Sequence, residues 1–203
     1  MMRKQVRPAI VMTLLLCIIT GFIYPGVVTG LAQLVFSRQA NGSLVEVNGR
    51  VVGSALIGQT FTQPYYFHSR PSAAGSGYDA TASGGTNKGP TDRKLADTLV
   101  AQAIDSAVKI DHVTKGQIPG DMVTSSASGL DPHISPENAH QQVPRVATSR
   151  RVAVEVIQAL VDAHTETRQF GFFGEPRVNV LLLNIALDSA FSRIDPTRNG
   201  SAK

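Results

Sequence analysis

The feature that most constrains this chain is an uncharged stretch near its start. No charged side chain occurs from Pro8 to Ser37, and this stretch holds two apolar runs, Ala9–Ile23 and Val27–Phe36. About 20 apolar residues in a helix cross the ~30 Å hydrocarbon core of a bilayer. A helix also satisfies its own backbone hydrogen bonds there. The sequence therefore predicts a transmembrane anchor helix over residues 9–36.

The charges that flank the helix predict its orientation. Arg3, Lys4 and Arg7 lie in the first seven residues, which contain no acid. Positive residues beside a first membrane segment stay in the cytoplasm. We therefore expect residues 1–8 to form a cytoplasmic tail and residues 37–203 to form an extracytoplasmic domain of a bacterial inner-membrane protein.

A cleaved signal peptide is the alternative interpretation of the same segment. Val28-Thr29-Gly30 is an acceptable small-residue cleavage site, and the basic start is also typical of a signal peptide. The apolar run continues past that site to Phe36, which favours an uncleaved anchor. Both interpretations place the rest of the chain outside.

The middle of the anchor holds turn-forming and small residues. Pro25-Gly26 either kinks the helix or ends it near the outer interface, where Tyr24 would suit the headgroup region. Gly26 and Gly30 form a small-xxx-small pattern that allows close helix–helix packing. Glycine is also common in such helices, so the pattern alone leaves both explanations open.

Charge and cysteine content exclude several classes of protein. The chain has 19 Lys and Arg against 15 Asp and Glu, and three of the positive charges lie in the tail. The remainder is nearly neutral, whereas nucleic-acid binding needs a clustered basic surface. Cys17 is the one cysteine, so the chain forms no internal disulfide and no cysteine-based zinc site.

Local patterns predict a mixed α/β domain after the anchor. Asn48-Gly49 between Leu44–Val47 and Arg50–Ile57 is typical of a β-hairpin with a type I′ turn. Tyr65–Phe67 is the next short strand predicted. Ser69–Pro90 is rich in Gly, Ser, Ala and Thr, and a loop of this length is usually functional or disordered.

The second half alternates helical patterns with short loops. Ser135-Pro136-Glu137 is a strong helix start, with Ser as cap, Pro at the first position and an acid in the first turn. Periodicity does not decide between strand and helix for the last apolar segment, Val178–Ala190. The remaining elements predicted are a helix over Thr91–Ile110 capped by Thr91, a strand over Met122–Ser126, a loop from Gly129 to Pro136, and a helix over Val146–Ala163.

Three kinds of catalytic or metal site are disfavoured. Gly84, Gly85, Lys88 and Gly89 lack the spacing of a phosphate-binding P-loop, because Lys88 is followed by Gly-Pro. No G-x-S-x-G nucleophile motif occurs. The five histidines are scattered without a short ligand motif, so no metal site is predicted, and the chain is more consistent with a partner-binding role.

Longer motifs occur in five segments of the chain, which are Tyr66–Ala73 (YFHSRPSA), Ser83–Pro90 (SGGTNKGP), Ser126–Ser135 (SASGLDPHIS), Arg145–Ala147 (RVA) and Gly174–Leu181 (GEPRVNVL). Their order, together with the single N-terminal helix, is similar to that of the C subunit (KdpC) of the Kdp potassium-transporting P-type ATPase. Thr86 and Lys88 stand where Ser and Leu are common in that family.

The resemblance implies a non-catalytic accessory subunit of an ATP-driven potassium uptake complex. Its implied partners are a channel-like potassium-selecting subunit, an ATP-hydrolysing P-type subunit, a small membrane peptide subunit and membrane lipid, with no nucleic acid. No cofactor is expected to bind tightly; ATP acts at the level of the complex, and potassium is the transported ion. Two implied roles are a catalytic chaperone that raises ATP affinity, and an outer cap over the potassium entrance.

The predicted orientation bears on these two roles. ATP is cytoplasmic, whereas nearly the whole chain is predicted to lie outside. An effect on ATP handling would then be transmitted through the complex as coupling between distinct sites. A cap over the potassium entrance needs no such coupling.

Within the cap hypothesis, the loops that carry the motifs are the expected docking surface. Tyr66 and Arg70 suit interface anchors, and Asn87 and Asp131 suit a polar path for a cation; loop architecture explains the same residue types. The expected partner-binding residues are Tyr66, Arg70, Pro71, Ser72, Tyr78, Ser83, Gly84, Gly85, Asn87, Gly89, Pro90, Gly129, Asp131, Pro132, His133, Ser135 and Arg145. Gly26 and Gly30 are the expected packing positions of the anchor.

Overall fold

The computed structural model describes residues 2–89 and 91–191. Its contacts divide the chain into two units, one ending at Ser54 and one beginning at Ala55. The first unit holds one long helix and a β-hairpin. The second has a mixed α/β architecture, in agreement with the predicted fold class.

The first unit begins with α1 (Met2–Ile18), continues through a π-helical turn (Ile19–Ile23), and ends in α2 (Tyr24–Val35). From Lys4 to Val35 it is one helix of 32 residues with a mean hydropathy of 2.2 in its membrane-length window. At 1.5 Å per residue this is roughly 48 Å, longer than a bilayer core. The helix is therefore long and apolar enough to cross a membrane.

Pro25 does not end this helix. Proline has no N–H, and its ring clashes with the carbonyl of the residue four positions earlier. The chain accommodates it with the wider turn at Ile19–Ile23, where the Tyr24 N–H donates to the Ile19 carbonyl oxygen five residues back. A π-helical turn is a recognised way to absorb such a misfit.

A short helix, α3 (Ser37–Ala40), leads from the anchor to the hairpin. β1 (Leu44–Val47) pairs antiparallel with β2 (Arg50–Ser54). Asn48 and Gly49 both have positive φ, 52° and 74°, as a type I′ turn requires. The hairpin prediction is confirmed, although β2 ends at Ser54 and not at Ile57.

The second unit packs three helices and a small sheet around one core. Its elements are α4 (Ala101–Asp111) after a π-helical segment (Leu95–Val100), α5 (Gly120–Val123), β3 (His133–Ile134), α6 (Pro136–Arg150), α7 (Val154–Ala163), β4 (Thr165–Glu166), β5 (Arg177–Asn179) and α8 (Val180–Ala190). The sheet has the order β3-β5-β4, with both pairs antiparallel. The core side chains come from α6, α7, α8 and β5, with Phe67 and Ile134 added from other segments.

Two helix starts test the capping predictions. The Ser135 hydroxyl accepts a hydrogen bond from the Asn138 N–H at 3.1 Å, so Ser135 caps α6 as predicted. In the helix that was predicted to begin at Thr91, the Leu95 N–H donates to the Asp92 carboxylate at 3.1 Å. Asp92 therefore caps this helix and Thr91 does not. A carboxylate also suits the positive end of the helix dipole.

The helix predicted over Val146–Ala163 is wrong as a single element. α6 ends at Arg150, and Arg151 takes a left-handed conformation with φ of 54° before α7 begins at Val154. The apolar segment at residues 178–190 contains both a strand and a helix. The strand β5 is followed directly by α8, because the Asn179 side chain accepts a hydrogen bond from the Leu182 N–H and caps the helix.

Two predicted strands are absent from the described structure. Residues 120–123 form the helical turn α5, so the strand over Met122–Ser126 is wrong. The strand over Tyr65–Phe67 is also wrong, because its backbone pairs with side chains. Asn184 bonds both the N–H and the carbonyl of Phe67 at 2.9 and 3.0 Å, and Gln142 does the same for His68 at 2.7 and 3.1 Å.

Candidate functional site

Two motif segments that are distant in sequence fold against each other. We call residues 69–89 and 124–135 the double loop. The Gly84 N–H donates to the Ser128 carbonyl at 2.8 Å, and the Ser83 hydroxyl donates to the same oxygen at 3.0 Å. The Ser72 hydroxyl donates to the Gly129 carbonyl at 2.6 Å. The long polar loop predicted from composition is therefore tied to the second loop through its backbone.

The contact between the two loops depends on small residues. Gly129 is buried with φ of +67°, and a Cβ there would lie 2.6 Å from the Gly84 carbonyl oxygen and 2.7 Å from the Ala74 nitrogen. A Cβ on Gly85 would lie 2.9 Å from the Ala127 carbonyl oxygen. These separations are shorter than a side chain tolerates, so glycine is required by the close approach of the two backbones.

Ser72 and Tyr78 organise the first loop from within. The Ser72 oxygen accepts hydrogen bonds from the backbone N–H groups of Ala74 and Tyr78, at 3.2 and 2.8 Å. The Tyr78 hydroxyl donates to the Arg70 carbonyl at 2.7 Å. Burial raises the pKa of Tyr78, and this outweighs the lowering by a hydrogen bond with Ser69. The phenol therefore stays protonated at neutral pH and remains a donor.

Arg70 and Asp131 join the two loops by charge. An Arg70 guanidinium nitrogen lies 3.1 Å from the Asp131 carboxylate, and Arg70 Nε also donates to the Thr124 carbonyl at 3.4 Å. The other oxygen of Asp131 accepts from the His133 N–H at 3.0 Å. The pair lies in a recess of about 370 Å³, which is lined by Arg70, Asp121, Asp131, His133, Ile134, Ser135, Glu175, Pro176 and Arg177.

Several groups act on the ionisation of Asp131. Burial raises the pKa of this carboxyl group, but hydrogen bonds from His133 and the positive charge of Arg70 outweigh burial and hold the pKa below its ordinary value. A carboxylate with a lowered folded pKa contributes stability above its unfolded pKa. That contribution is lost as the pH falls through the folded value.

We therefore expect replacement of Asp131 by Asn to change the acid limb of the stability profile. The difference in free energy of unfolding between the native chain and Asp131→Asn should be constant above about pH 5 and shrink below about pH 4. Urea unfolding followed across this range measures it. A difference that stays the same down to pH 2, or that grows in acid, would contradict the assigned environment of Asp131.

Ser135 and Asp121 both line the recess and bond to each other. The Asp121 carboxylate accepts from the backbone N–H and the hydroxyl of Ser135 at 2.7 and 2.9 Å, and from the Asn138 side chain at 3.0 Å. An acid beside the N-terminus of α6 is also favoured by the helix dipole. Sequence reasoning missed Asp121, since a lone acid after Pro-Gly gives no local signal of a contact 14 residues away.

The remaining expected site residues differ in their exposure. Ser83, Asn87 and Gly89 are exposed, whereas Gly129 and Pro132 are buried, and Pro90 lies outside the described residues. Asn87 has φ of 54°, a conformation that Asn adopts more readily than most residues. The half-buried members are Tyr66, Arg70, Pro71, Ser72, Tyr78, Gly84, Gly85, Asp131, His133 and Ser135.

Arg145 lies inside the domain and not on its surface. Its side chain and that of Asp111 are 6% and 5% exposed, and they form an ion pair at 2.6 Å. The same guanidinium donates to the carbonyls of Pro64 and Tyr66 and to the Gln142 side chain. The expected position of Arg145 on a partner-binding surface is therefore wrong. Arg145 instead holds the segment at Pro64–Tyr66, which precedes the double loop.

Tyr66 is also tied to the interior. Its hydroxyl donates to the Asp188 carboxylate at 2.7 Å, and Arg150 pairs with the other oxygen of Asp188 at 2.7 Å. The Arg150 guanidinium also lies 5.3 Å from the centre of the Tyr66 ring. Asp188 and Asn184 are polar residues within the apolar α8, a pattern that could have signalled buried hydrogen bonding.

The two anchor glycines lie on the first unit. Gly26 and Gly30 are four residues apart on one helix, and a Cβ at either would meet nothing within 4 Å. This side of the helix is open within the described structure. Among residues 2–89 and 91–191, no three His, Cys, Asp or Glu side chains are grouped so that they could hold a metal ion.

Comparisons with known proteins agree on one family. The family profile described as "KdpC: K+-transporting ATPase, c chain" matches residues 6–189. The chain is 61% identical over 189 residues to the "Potassium-transporting ATPase KdpC subunit" of Gemmatimonas aurantiaca, covering 93% of this chain and 94% of the relative. Relatives with the same name in Koribacter versatilis and Myxococcus xanthus are 53% and 54% identical, covering 92% and 90% of this chain and 95% and 87% of theirs.

The chain has a small α/β domain after one N-terminal helix that is long enough to span a membrane. This arrangement is compatible with a single-pass membrane component of a transport complex. Within that class, the chain belongs to the KdpC family of K+-transporting ATPase subunits. Membership implies a role in potassium uptake within a multi-subunit complex, as a subunit that is not the catalyst by itself.

Proposed function

We propose that this chain is an accessory subunit that docks on the outer face of the potassium-selecting subunit through the double loop. The proposal rests on the fixed backbone of the double loop and on the exposed residues that it presents. Its backbone is fixed by internal hydrogen bonds, while Ser83, Asn87, Ala127 and Ser128 remain exposed along it.

A fixed loop is well suited to binding. Ordering a flexible segment during association costs free energy, and a segment that is already held in place avoids much of that cost. Gly129, Ser72 and Tyr78 hold the double loop without any partner. Such an arrangement supports a docking surface better than a disordered loop, the alternative that the Gly- and Ser-rich composition also allows.

The charges in the recess favour a cap over an ion path. A potassium ion needs oxygen ligands that are not neutralised by a neighbouring cation. The Asp131 carboxylate, one of the two residues expected to line such a path, already pairs with Arg70 at 3.1 Å. The other two carboxylates that line the recess, those of Asp121 and Glu175, also already have hydrogen-bond or ion-pair partners. We therefore propose that the double loop covers or holds a partner surface and does not itself conduct the ion.

In this proposal the N-terminal helix completes the attachment. Gly26 and Gly30 leave one side of the helix open, as close packing against a partner helix requires. The potassium-selecting subunit, the P-type subunit and the small membrane peptide are the available partners. An effect on the ATP affinity of the P-type subunit would reach it through these contacts, as coupling between separate sites.

Extracytoplasmic placement is the part of the proposal that is simplest to test. Gln158 is exposed on α7, so Gln158→Cys in a Cys17→Ser background gives one accessible thiol. A membrane-impermeant maleimide should label this thiol in intact spheroplasts, because Arg3, Lys4 and Arg7 favour a cytoplasmic N-terminus. Labelling only after the membrane is opened would place the domain inside and contradict the proposal.

A further inference from the structure

A hairpin tip outside the double loop exposes three aromatic rings. We call Phe170, Phe172 and Phe173, between β4 and β5, the aromatic tip. These rings are 87%, 67% and 58% exposed. A group of large exposed apolar side chains usually marks a contact with protein or membrane. None of the double-loop interactions involves these residues, so the proposed docking surface does not explain them.

Four backbone N–H groups at the tip have partners within the tip itself. Gln169 and Phe173 exchange two hydrogen bonds of 2.9 Å, the Gly171 N–H donates to the Arg168 carbonyl at 3.1 Å, and the Phe172 N–H donates to the Gln169 carbonyl at 3.2 Å. These four N–H groups therefore do not depend on water for a hydrogen-bond acceptor. A backbone with paired donors enters a medium of low polarity at lower cost than an open loop.

The charges next to the tip are paired in the same way. Arg168 Nη2 lies 2.5 Å from Glu175 Oε2, and Arg177 Nε lies 2.9 Å from Glu166 Oε2. These four side chains are neutral as a group and between 44% and 77% exposed. They can therefore remain in the headgroup region while the rings go deeper, and no unpaired charge has to be buried.

We infer that the aromatic tip inserts into the interfacial layer of the bilayer that holds the N-terminal helix. A protein partner would need a pocket shaped for a projecting tip, whereas the lipid interface accepts apolar side chains without one. Only 19 residues separate Val35 from Ala55, so the second unit stays within roughly 65 Å of the helix end. Such a tether keeps the lipid surface at a high effective concentration.

This inference rests on the membrane anchor of the proposed function, and not on docking or potassium transport. The chain contains no tryptophan, so Phe172→Trp introduces a single fluorescent reporter into the full chain. In vesicles of phosphatidylethanolamine and phosphatidylglycerol, its emission should lie at shorter wavelength than that of a Trp in water. Lipids with brominated acyl chains should remove roughly half of its intensity, as expected for a side chain 5–10 Å into the interface.

Gln158→Trp is the matched control, because Gln158 is exposed on α7 and belongs neither to the aromatic tip nor to the double loop. Its emission should stay at the wavelength of a water-exposed Trp and should not respond to brominated lipid. The same water-like behaviour of Phe172→Trp in vesicles that retain the chain would overturn the inference while leaving the anchor intact. If carbonate washes the chain from the vesicles, the N-terminal helix is not a membrane anchor, and the proposed function fails at that step.

A photo-crosslinking benzophenone side chain at position 172 tests the inference in the assembled complex. Crosslinks to lipid are expected on illumination. A crosslink to another subunit, seen as a larger band that contains this chain, would show that the rings are covered by protein and would overturn insertion into lipid.

Discussion

Replacing Arg145 by Ala should lower the free energy of unfolding by about 3–5 kcal/mol, the usual result of leaving a buried charge unpaired. Asp111 would lose its partner at 5% exposure, and the carbonyls of Pro64 and Tyr66 would lose their donors. Urea unfolding of the chain in detergent, followed by circular dichroism, measures the loss.

Arg93→Ala is the matched control, because Arg93 is exposed and its loss should cost within about 0.5 kcal/mol. A second comparison uses Asp111→Leu together with Arg145→Met. This double variant removes both charges, so it should recover part of the stability that Arg145→Ala loses. A value for Arg145→Ala close to that of Arg93→Ala would mean that the buried network does not hold the domain.

The second large effect is expected at the junction of the double loop. Gly129→Ala places a Cβ 2.6–2.9 Å from Gly84 and Ala74 and also forces a side chain into a left-handed conformation. The conformational part alone costs about 1–2 kcal/mol. Because the contacting atoms are mainly backbone, the two loops must also move apart, so the total loss should clearly exceed that figure.

Gly174→Ala separates the two causes. Gly174 has φ of +76° but nothing within 4 Å of a Cβ, so it should show only the conformational cost. Amide exchange adds a local measurement: the Tyr78 and Gly84 N–H groups, which are bonded inside the double loop, should exchange faster in Gly129→Ala and not in Gly174→Ala. Equal effects of the two substitutions would show that the loops are not in close contact.

Elements with a local cause were predicted from the sequence. The hairpin follows from the positive φ angles that Asn48-Gly49 adopts readily, and α6 begins where a Ser-Pro-Glu start places it. The long apolar helix follows from composition over Lys4–Val35. In each case the deciding residues are neighbours in the chain, so the pattern contains the whole explanation.

Elements with a distant cause were not predicted. The segment at Phe67 looks like a strand because its residues favour one, yet its backbone is bonded by Asn184, 117 residues away. The break after α6 depends on a left-handed Arg151, a conformation that no propensity would assign to arginine. The motifs found the double loop, but only the fold shows that Arg145 is buried in the interior of the domain and that Ser83 and Asn87 are exposed.

Substitution of Ala127 directly tests whether the double loop is the docking surface. Ala127 is exposed on the double loop and Ala159 is exposed on α7, so Ala127→Arg and Ala159→Arg make the same change at two surfaces. Both variants should fold, since an exposed substitution usually changes stability by within about 0.5 kcal/mol.

The measurement is potassium-stimulated ATPase activity of the affinity-purified complex, at saturating and at low ATP, together with the amount of this chain that co-purifies. We expect Ala127→Arg to remove most of the chain from the complex and most of the activity at both ATP concentrations, while Ala159→Arg retains both. Full recovery of the Ala127→Arg chain with unchanged activity would contradict the proposed docking surface.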